Sequence, residues 1–368
     1  MVKNAVWSNL GFALLVVALS LQFHPLVAGL LGITDLYNFA SSTLTSSSSR
    51  FQLFASNGNI LNIETDQITV TNAFKCAIGN VIIFAAVMGR GGPYHATVIS
   101  FFGTILYEVS RQLVSRWGME LGGSITVFLF GGVTGGLVSM VLLCRQGNSV
   151  DEHRLLVAGR MSLAIGGIGA LLTWVLMPWL NSDLPSVLFY HLYAILHSLL
   201  AISACVLMTI SLNCMAFGRV DYIDLVYSSL AGGAAVSTCA VLCPTPMEAV
   251  VLGGVSGILH VLMRRTGVGC GCLLDNGVLT LVGMQGLLGG LASAGLAYYD
   301  SFHSRYSQLN TTVSFYPNSN TEIFKLPLWT SQLIAVGVSF GVSLIGGVIL
   351  GLLLLCAAST RSSSHYHD

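Results

Sequence analysis

Ten stretches of this chain hold about twenty or more mostly apolar residues, the length a helix needs to cross a bilayer core. They lie at roughly 10–32, 72–90, 93–114, 121–145, 155–180, 187–213, 221–242, 246–264, 276–298 and 330–356. The pattern predicts an all-α polytopic membrane protein, a single domain over 1–368. Gly89-Arg90-Gly91-Gly92-Pro93 and Cys243-Pro244-Thr245-Pro246 each end one helix and start the next, so tight helical hairpins are expected. The first apolar run follows Lys3, as a signal core would. At about 23 residues it exceeds the 7–15 of such a core, and a spanning helix is predicted.

Two polar segments interrupt the pattern. Residues 33–70 are rich in serine and asparagine, and 299–329 contain the sequon at Asn310, a candidate glycosylation site. With a cytoplasmic start both segments are extracellular loops, and 357–368 is a cytoplasmic tail. Nine Lys/Arg then face the cytoplasm, Arg219, Arg264 and Arg265 among them, against six outside. The bias has the sign of the positive-inside rule. Trp117, Trp174 and Trp179 near helix ends read as interface anchors.

Glycines recur four residues apart, as in Gly132/Gly136, Gly253/Gly257 and Gly286/Gly290. Missing side chains at i and i+4 let helices approach closely, which reads as packing. Composition agrees. Apolar residues make up 54%, charged residues 8%, the net charge is zero and the mean hydropathy is +0.78. Soluble domains carry roughly 25% charged residues. A soluble enzyme, a disordered chain and a nucleic-acid binder are all disfavoured. The nine cysteines lie mostly in or beside apolar runs and behave as small hydrophobes. Cys270/Cys272 and Cys239/Cys243 lack the second pair of a zinc site, so neither a metal nor another cofactor is expected.

Five segments resemble the Rh branch of the ammonium transporter family. They are Leu19-Ser-Leu-Gln-Phe23, Glu120-Leu-Gly-Gly-Ser-Ile-Thr-Val-Phe128, and Trp174-x-x-x-Pro178-x-x-Asn181-Ser182. The others are Arg219-Val-Asp221 with Ser229-Leu-Ala-Gly-Gly233, and Gly283-Met-Gln-Gly286-x-x-Gly289-Gly290. Their order is the family's order. The resemblance implies a trimer of pores, each formed by eleven or twelve helices in two inverted repeats, conducting ammonium or ammonia past two facing histidines. It also implies a plasma-membrane protein whose partners are the bilayer and other Rh-type subunits, in homo- or hetero-trimers, with ammonia, ammonium or CO2 as candidate solute.

Two departures qualify that expectation. The first apolar segment matches the family's third helix, so the first two of the Rh pattern are expected to be lacking, with one pore-lining helix among them. The pore histidine positions fall on Phe128 and Val282. This loss is shared with the Rh blood-group-like members. The supporting acid remains as Glu120, with Asp275 at its counterpart in the second half, and the outer gate phenylalanine falls at Phe74.

An unpaired charge at the bilayer centre costs at least a few kcal/mol. A histidine can relieve this through its near-neutral pKa and two ring nitrogens; phenylalanine and valine cannot. A Phe128/Val282 pore is therefore expected to be dry, with little or no ammonium conduction, in a subunit of a membrane Rh complex. The alternative is a channel for neutral ammonia or CO2. Of His24, His95, His191, His197 and His260, His197 is the best candidate for a role in it, because a polar residue stands there in relatives. Gly254-Val-Ser256-Gly257 matches a rhomboid-protease motif, with His260 one turn away, but this is not the rhomboid arrangement, and no enzyme is expected. Glu108 and Arg111 can pair on adjacent turns, and His365 and His367 read as a solvated tail.

Overall fold

The structure is a computed structural model. It describes residues 2–35, 50–54, 60–64, 67–88, 92–118, 120, 122–146, 160–182, 188–243, 245–267, 278–301 and 327–362. Among them run α1 (Val2–Asp35), α2 (Gln67–Ala86), α3 (Pro93–Trp117), α4 (Phe130–Gln146) and α5 (Arg160–Asn181). They continue with α6 (Leu188–Phe217), α7 (Tyr222–Val236), α8 (Pro246–Gly267), α9 (Met284–Ser301) and α10 (Leu328–Ser362). Two π-helical turns, Ser124–Leu129 and Leu279–Gly283, lead into α4 and α9. The membrane domain is all-helical, as expected. The one addition among the described residues is an antiparallel hairpin within the 33–70 segment, β1 (Arg50–Phe54) with β2 (Ile60–Glu64).

Eight helices among the described residues are long and apolar enough to cross a membrane. The other two of the ten predicted stretches are also helical. α3 carries Glu108, Arg111 and Arg116, which set it apart from an apolar span. α7 has 15 residues and stops at Val236, short of the expected 242. At 1.5 Å per residue it is about 22 Å long, against a core of about 30 Å. The reason is a contact from another element. The Thr238 backbone N–H leaves the helical ladder and donates to Ser124 Oγ at 2.9 Å.

The two halves repeat one packing scheme. α1 lies against α2 and α3, α6 lies against α7 and α8, and α4 and α9 each follow a π turn. If each of α1–α5 crosses once, α6 runs opposite to α1, and the repeats are inverted. α9 packs on the first π turn and α4 on the second, joining the halves. α10 closes the bundle against α3, α4 and α9. α5, α6 and α10 show apolar residues outward, such as Leu171, Val175, Leu207 and Ile345. In water these would be a liability; in a bilayer they face lipid tails.

Candidate functional site

The junction of the halves is built on glycine. Gly123 has φ +106°, a conformation that L side chains rarely adopt, and it starts the first π turn. The Phe128 N–H reaches back to Gly123 O at 3.0 Å, an i to i−5 bond. The Met284 N–H does the same to Leu279 O. A Cβ on Gly132 would collide with the Gly283 backbone, and one on Gly286 with the backbone of Ser124 and Leu129. Each π turn therefore meets a helix of the other half backbone to backbone, the first against α9 and the second against α4.

Glu120 accepts the backbone N–H groups of Ile125 at 2.5 Å and Thr126 at 2.9 Å, and the Thr238 hydroxyl at 3.3 Å. Two orphan donors at the start of the first π turn are thereby satisfied. Ser124 Oγ donates to Ala234 O at 2.8 Å while accepting from Thr238 N–H. Three of the Rh-like segments converge here: the Glu120 segment, the Ser229–Thr238 segment and the Gly283–Gly290 segment. Trp174 Nε1 donates to Ser229 Oγ at 3.1 Å, and Asn181 Nδ2 to Ser198 Oγ at 3.1 Å. The Trp174–Ser182 segment is tied in by these bonds.

Phe128 sits in the first π turn and is fully buried; Val282 sits in the second and is buried. Both belong to one apolar cluster, with Phe130, Ile83, Tyr107 and Leu281. His197 is buried on α6, where its Nδ1 bonds Ala240 O at 2.7 Å and its ring meets Tyr193 edge-on at 4.3 Å between centroids. It braces α6 against the turn after α7, and its Nε2 has no hydrogen-bond partner. Phe74 is on α2 and 45% exposed. Asp275 and Asn310 lie outside the described residues. Ser256 Oγ donates to Gln285 Oε1 at 2.9 Å, so its hydroxyl is engaged by an amide and not by His260.

Two buried polar systems flank this junction. Between α1, α2 and α3, Asn80 Nδ2 donates to Ser20 Oγ at 2.9 Å and Thr104 Oγ1 at 3.0 Å. One turn along, fully buried Glu108 takes Arg111 Nε at 2.8 Å and lies 3.3 Å from His24 Nε2. Between α6, α7 and α8, buried Asp224 accepts Asn213 Nδ2 at 2.9 Å and pairs with Arg264 and, at 3.8 Å, Arg265. The sequence reading found the Glu108–Arg111 pair but neither network. The signal was present as polar residues four apart, Ser20/His24 and Thr104/Glu108, but their partners across helices were not.

The profile of the Ammonium Transporter Family matches residues 2–365. Ammonium transporter Rh type C of Rattus norvegicus is 26% identical over 318 residues, covering 83% of this chain and 62% of that protein. The Homo sapiens Rh type C protein is 27% identical over 301 residues, covering 77% and 60%. The chain thus spans about three-fifths of the length of these relatives. Among solved structures, Nitrosomonas europaea Rh50 superposes with a TM-score of 0.68 at 20% identity, covering 96% of this chain and 80% of that one. Candida albicans Mep2 gives 0.57 at 15% identity, covering 96% and 83%. At such identities the superpositions establish a shared fold. On the extent of the family match, and on its Rh-type relatives, this multi-pass membrane chain belongs to the ammonium transporter family, in its Rh branch.

Proposed function

We propose that this chain is an Rh-type subunit of a trimeric plasma-membrane complex in which ammonium conduction is reduced or absent. The carrying observation is the burial of Phe128 and Val282 in one apolar cluster at the positions that resemblance gives to the pore histidines. A cation crossing there finds no acceptor for its proton and no substitute for its hydration. A penalty of about 3 kcal/mol at mid-bilayer corresponds to roughly a hundredfold loss of rate. The chain's role is then that of a scaffold and not of a catalyst. Methylammonium uptake in a transport-deficient cell tests this, with surface expression measured in parallel. The wild type should stay near background. Uptake matching that of a family member with both histidines would overturn the proposal.

The second reading is a neutral-gas channel. An apolar constriction excludes ions but sets no charge penalty against ammonia or CO2. Proteoliposome flux of either gas above that of protein-free vesicles would support it.

A further inference from the structure

Among the described residues the cysteines divide by place. Cys76, Cys205, Cys239 and Cys243 are buried, while Cys144, Cys214 and Cys356 are exposed. Each exposed cysteine lies within two residues of the end of an apolar span, and the spans are Ser124–Leu142, His191–Ala216 and Leu328–Cys356. These are the C-terminal ends of α4, α6 and α10.

The three ends share one side of the membrane. Thr134 Oγ1 donates to Ser343 O at 3.5 Å, and Cβ atoms on Gly347 and Gly351 would meet Leu137 and Val141. The contacts advance together along both helices, so α4 and α10 run parallel. Cys144 and Cys356 then end at one level, within about a turn of each other. If α5 and α6 each cross once, α6 ends on the face where α4 ends. Arg145, Arg219 and Arg361 follow the three cysteines in the chain. The Lys/Arg bias assigns this face to the cytoplasm.

The thiols also face outward. Cys356 continues the exposed stripe of Ile345, Ile349 and Leu352, at helical spacing along α10. Cys214 stands two turns beyond exposed Leu207 on the same face of α6. A thiol placed in this way meets two media at once. Water brings it an acyl donor, and the lipid beside its helix receives a chain. A buried thiol is out of the donor's reach and has no room for the product. The basic residues next along the chain favour an anionic donor.

We propose that Cys144, Cys214 and Cys356 are sites of S-acylation by a long-chain acyl-coenzyme A, the chemistry to which juxtamembrane cysteines are suited. The cysteine sulfur attacks the thioester carbonyl of the donor. A new sulfur–carbon bond forms, the bond to the coenzyme A sulfur breaks, and the cysteine's proton leaves on the coenzyme A thiol. Nothing is oxidised or reduced. Each chain lies along the apolar stripe of its own helix, where burial of its methylenes holds it in the inner leaflet. The spans already anchor the protein, so the acyl chains act on the lipid around α4, α6 and α10 and on the depth of these helix ends.

The test expresses the full chain in cultured eukaryotic cells fed an alkyne-bearing palmitate analogue. The wild type should carry label that neutral hydroxylamine removes, as a thioester requires. The combined variant Cys144→Ser, Cys214→Ser and Cys356→Ser should lose the label. The variant Cys76→Ser with Cys205→Ser, at buried positions, should keep it. Size-exclusion chromatography shows whether each variant retains the wild-type assembly. If the combined variant aggregates, the single variants decide. With each thioester exchanged for a polyethylene glycol tag, every single variant should remove one step from the mass ladder. A wild type without label overturns the proposal. So does a folded combined variant that keeps its label, or a set of single variants that leaves the ladder unchanged. Methylammonium uptake is read separately, so a conducting wild type defeats the reduced-conduction reading without touching these sites.

Discussion

Replacing Gly132 by alanine tests whether the junction of the halves depends on backbone contact. The new Cβ would stand against the N and Cα of Gly283 at a separation that real Cβ atoms do not show. The obstructing atoms are main chain, in a π turn already committed to an i−5 bond, so no side chain can swing aside. Overpacking a core costs about 1–3 kcal/mol, and the upper part of that range applies where the obstacle cannot move. Alanine's better helix propensity returns about 1 kcal/mol. The net loss is about 1–2 kcal/mol. Gly169→Ala on α5 is the control, because nothing lies within 4 Å of its added Cβ. It should gain up to about 1 kcal/mol from propensity alone. The two variants should differ by about 2–3 kcal/mol, or roughly 30- to 160-fold in the unfolding equilibrium. Reversible unfolding in mixed micelles, followed by tryptophan fluorescence, measures it. A Gly132→Ala protein as stable as Gly169→Ala would refute the backbone-contact argument.

Other outcomes follow from the polar networks. Glu120→Ala should destabilise by about 1–3 kcal/mol, because it strands the Ile125 and Thr126 N–H groups; Glu120→Gln, which keeps an acceptor oxygen, should lose less in the same assay. Asp224→Asn should cost about 2–3 kcal/mol, below the 3–5 of a fully buried pair, since Arg264 and Arg265 are 27% and 32% exposed. A loss under 0.5 kcal/mol would mean that solvent already screens the cluster. Asn80→Leu should loosen α1 from α2 and α3, raising hydrogen exchange across α1 more than across α6.

Much of the fold was readable because a bilayer imposes a length on every crossing, and an apolar run of that length is hard to mistake. The ends of α5, α6 and α8 fall within a few residues of their apolar runs for this reason. The early end of α7 was hidden. Residues 237–242 are Ser-Thr-Cys-Ala-Val-Leu, still apolar in character, and what stops the helix is a hydroxyl from Ser124, more than a hundred positions away. The π turns were hidden likewise, since a uniformly apolar helix carries no face whose rotation would betray an extra residue per turn. Phe128 and Val282 stood out only through resemblance; nothing in an apolar residue inside an apolar run marks it as a site. The polar seam between α6 and α8 was half visible: Cys205 and Asn213, and Ser256 and Arg264, have helical spacing, but which of them meet depends on the glycine contacts that set α6 against α8.

The glycine crossing at Gly132, Gly283 and Gly286 has a consequence for how such proteins diverge. The approach of the two halves is set by residues without side chains, while the side chains of Phe128 and Val282, buried beside the crossing, do not set it. Architecture and activity are therefore encoded at different codons. Substitutions at positions 128 and 282 can change what fills the buried cluster and keep the same crossing throughout. Purifying selection on the glycines would then persist through changes in what the neighbouring side chains do.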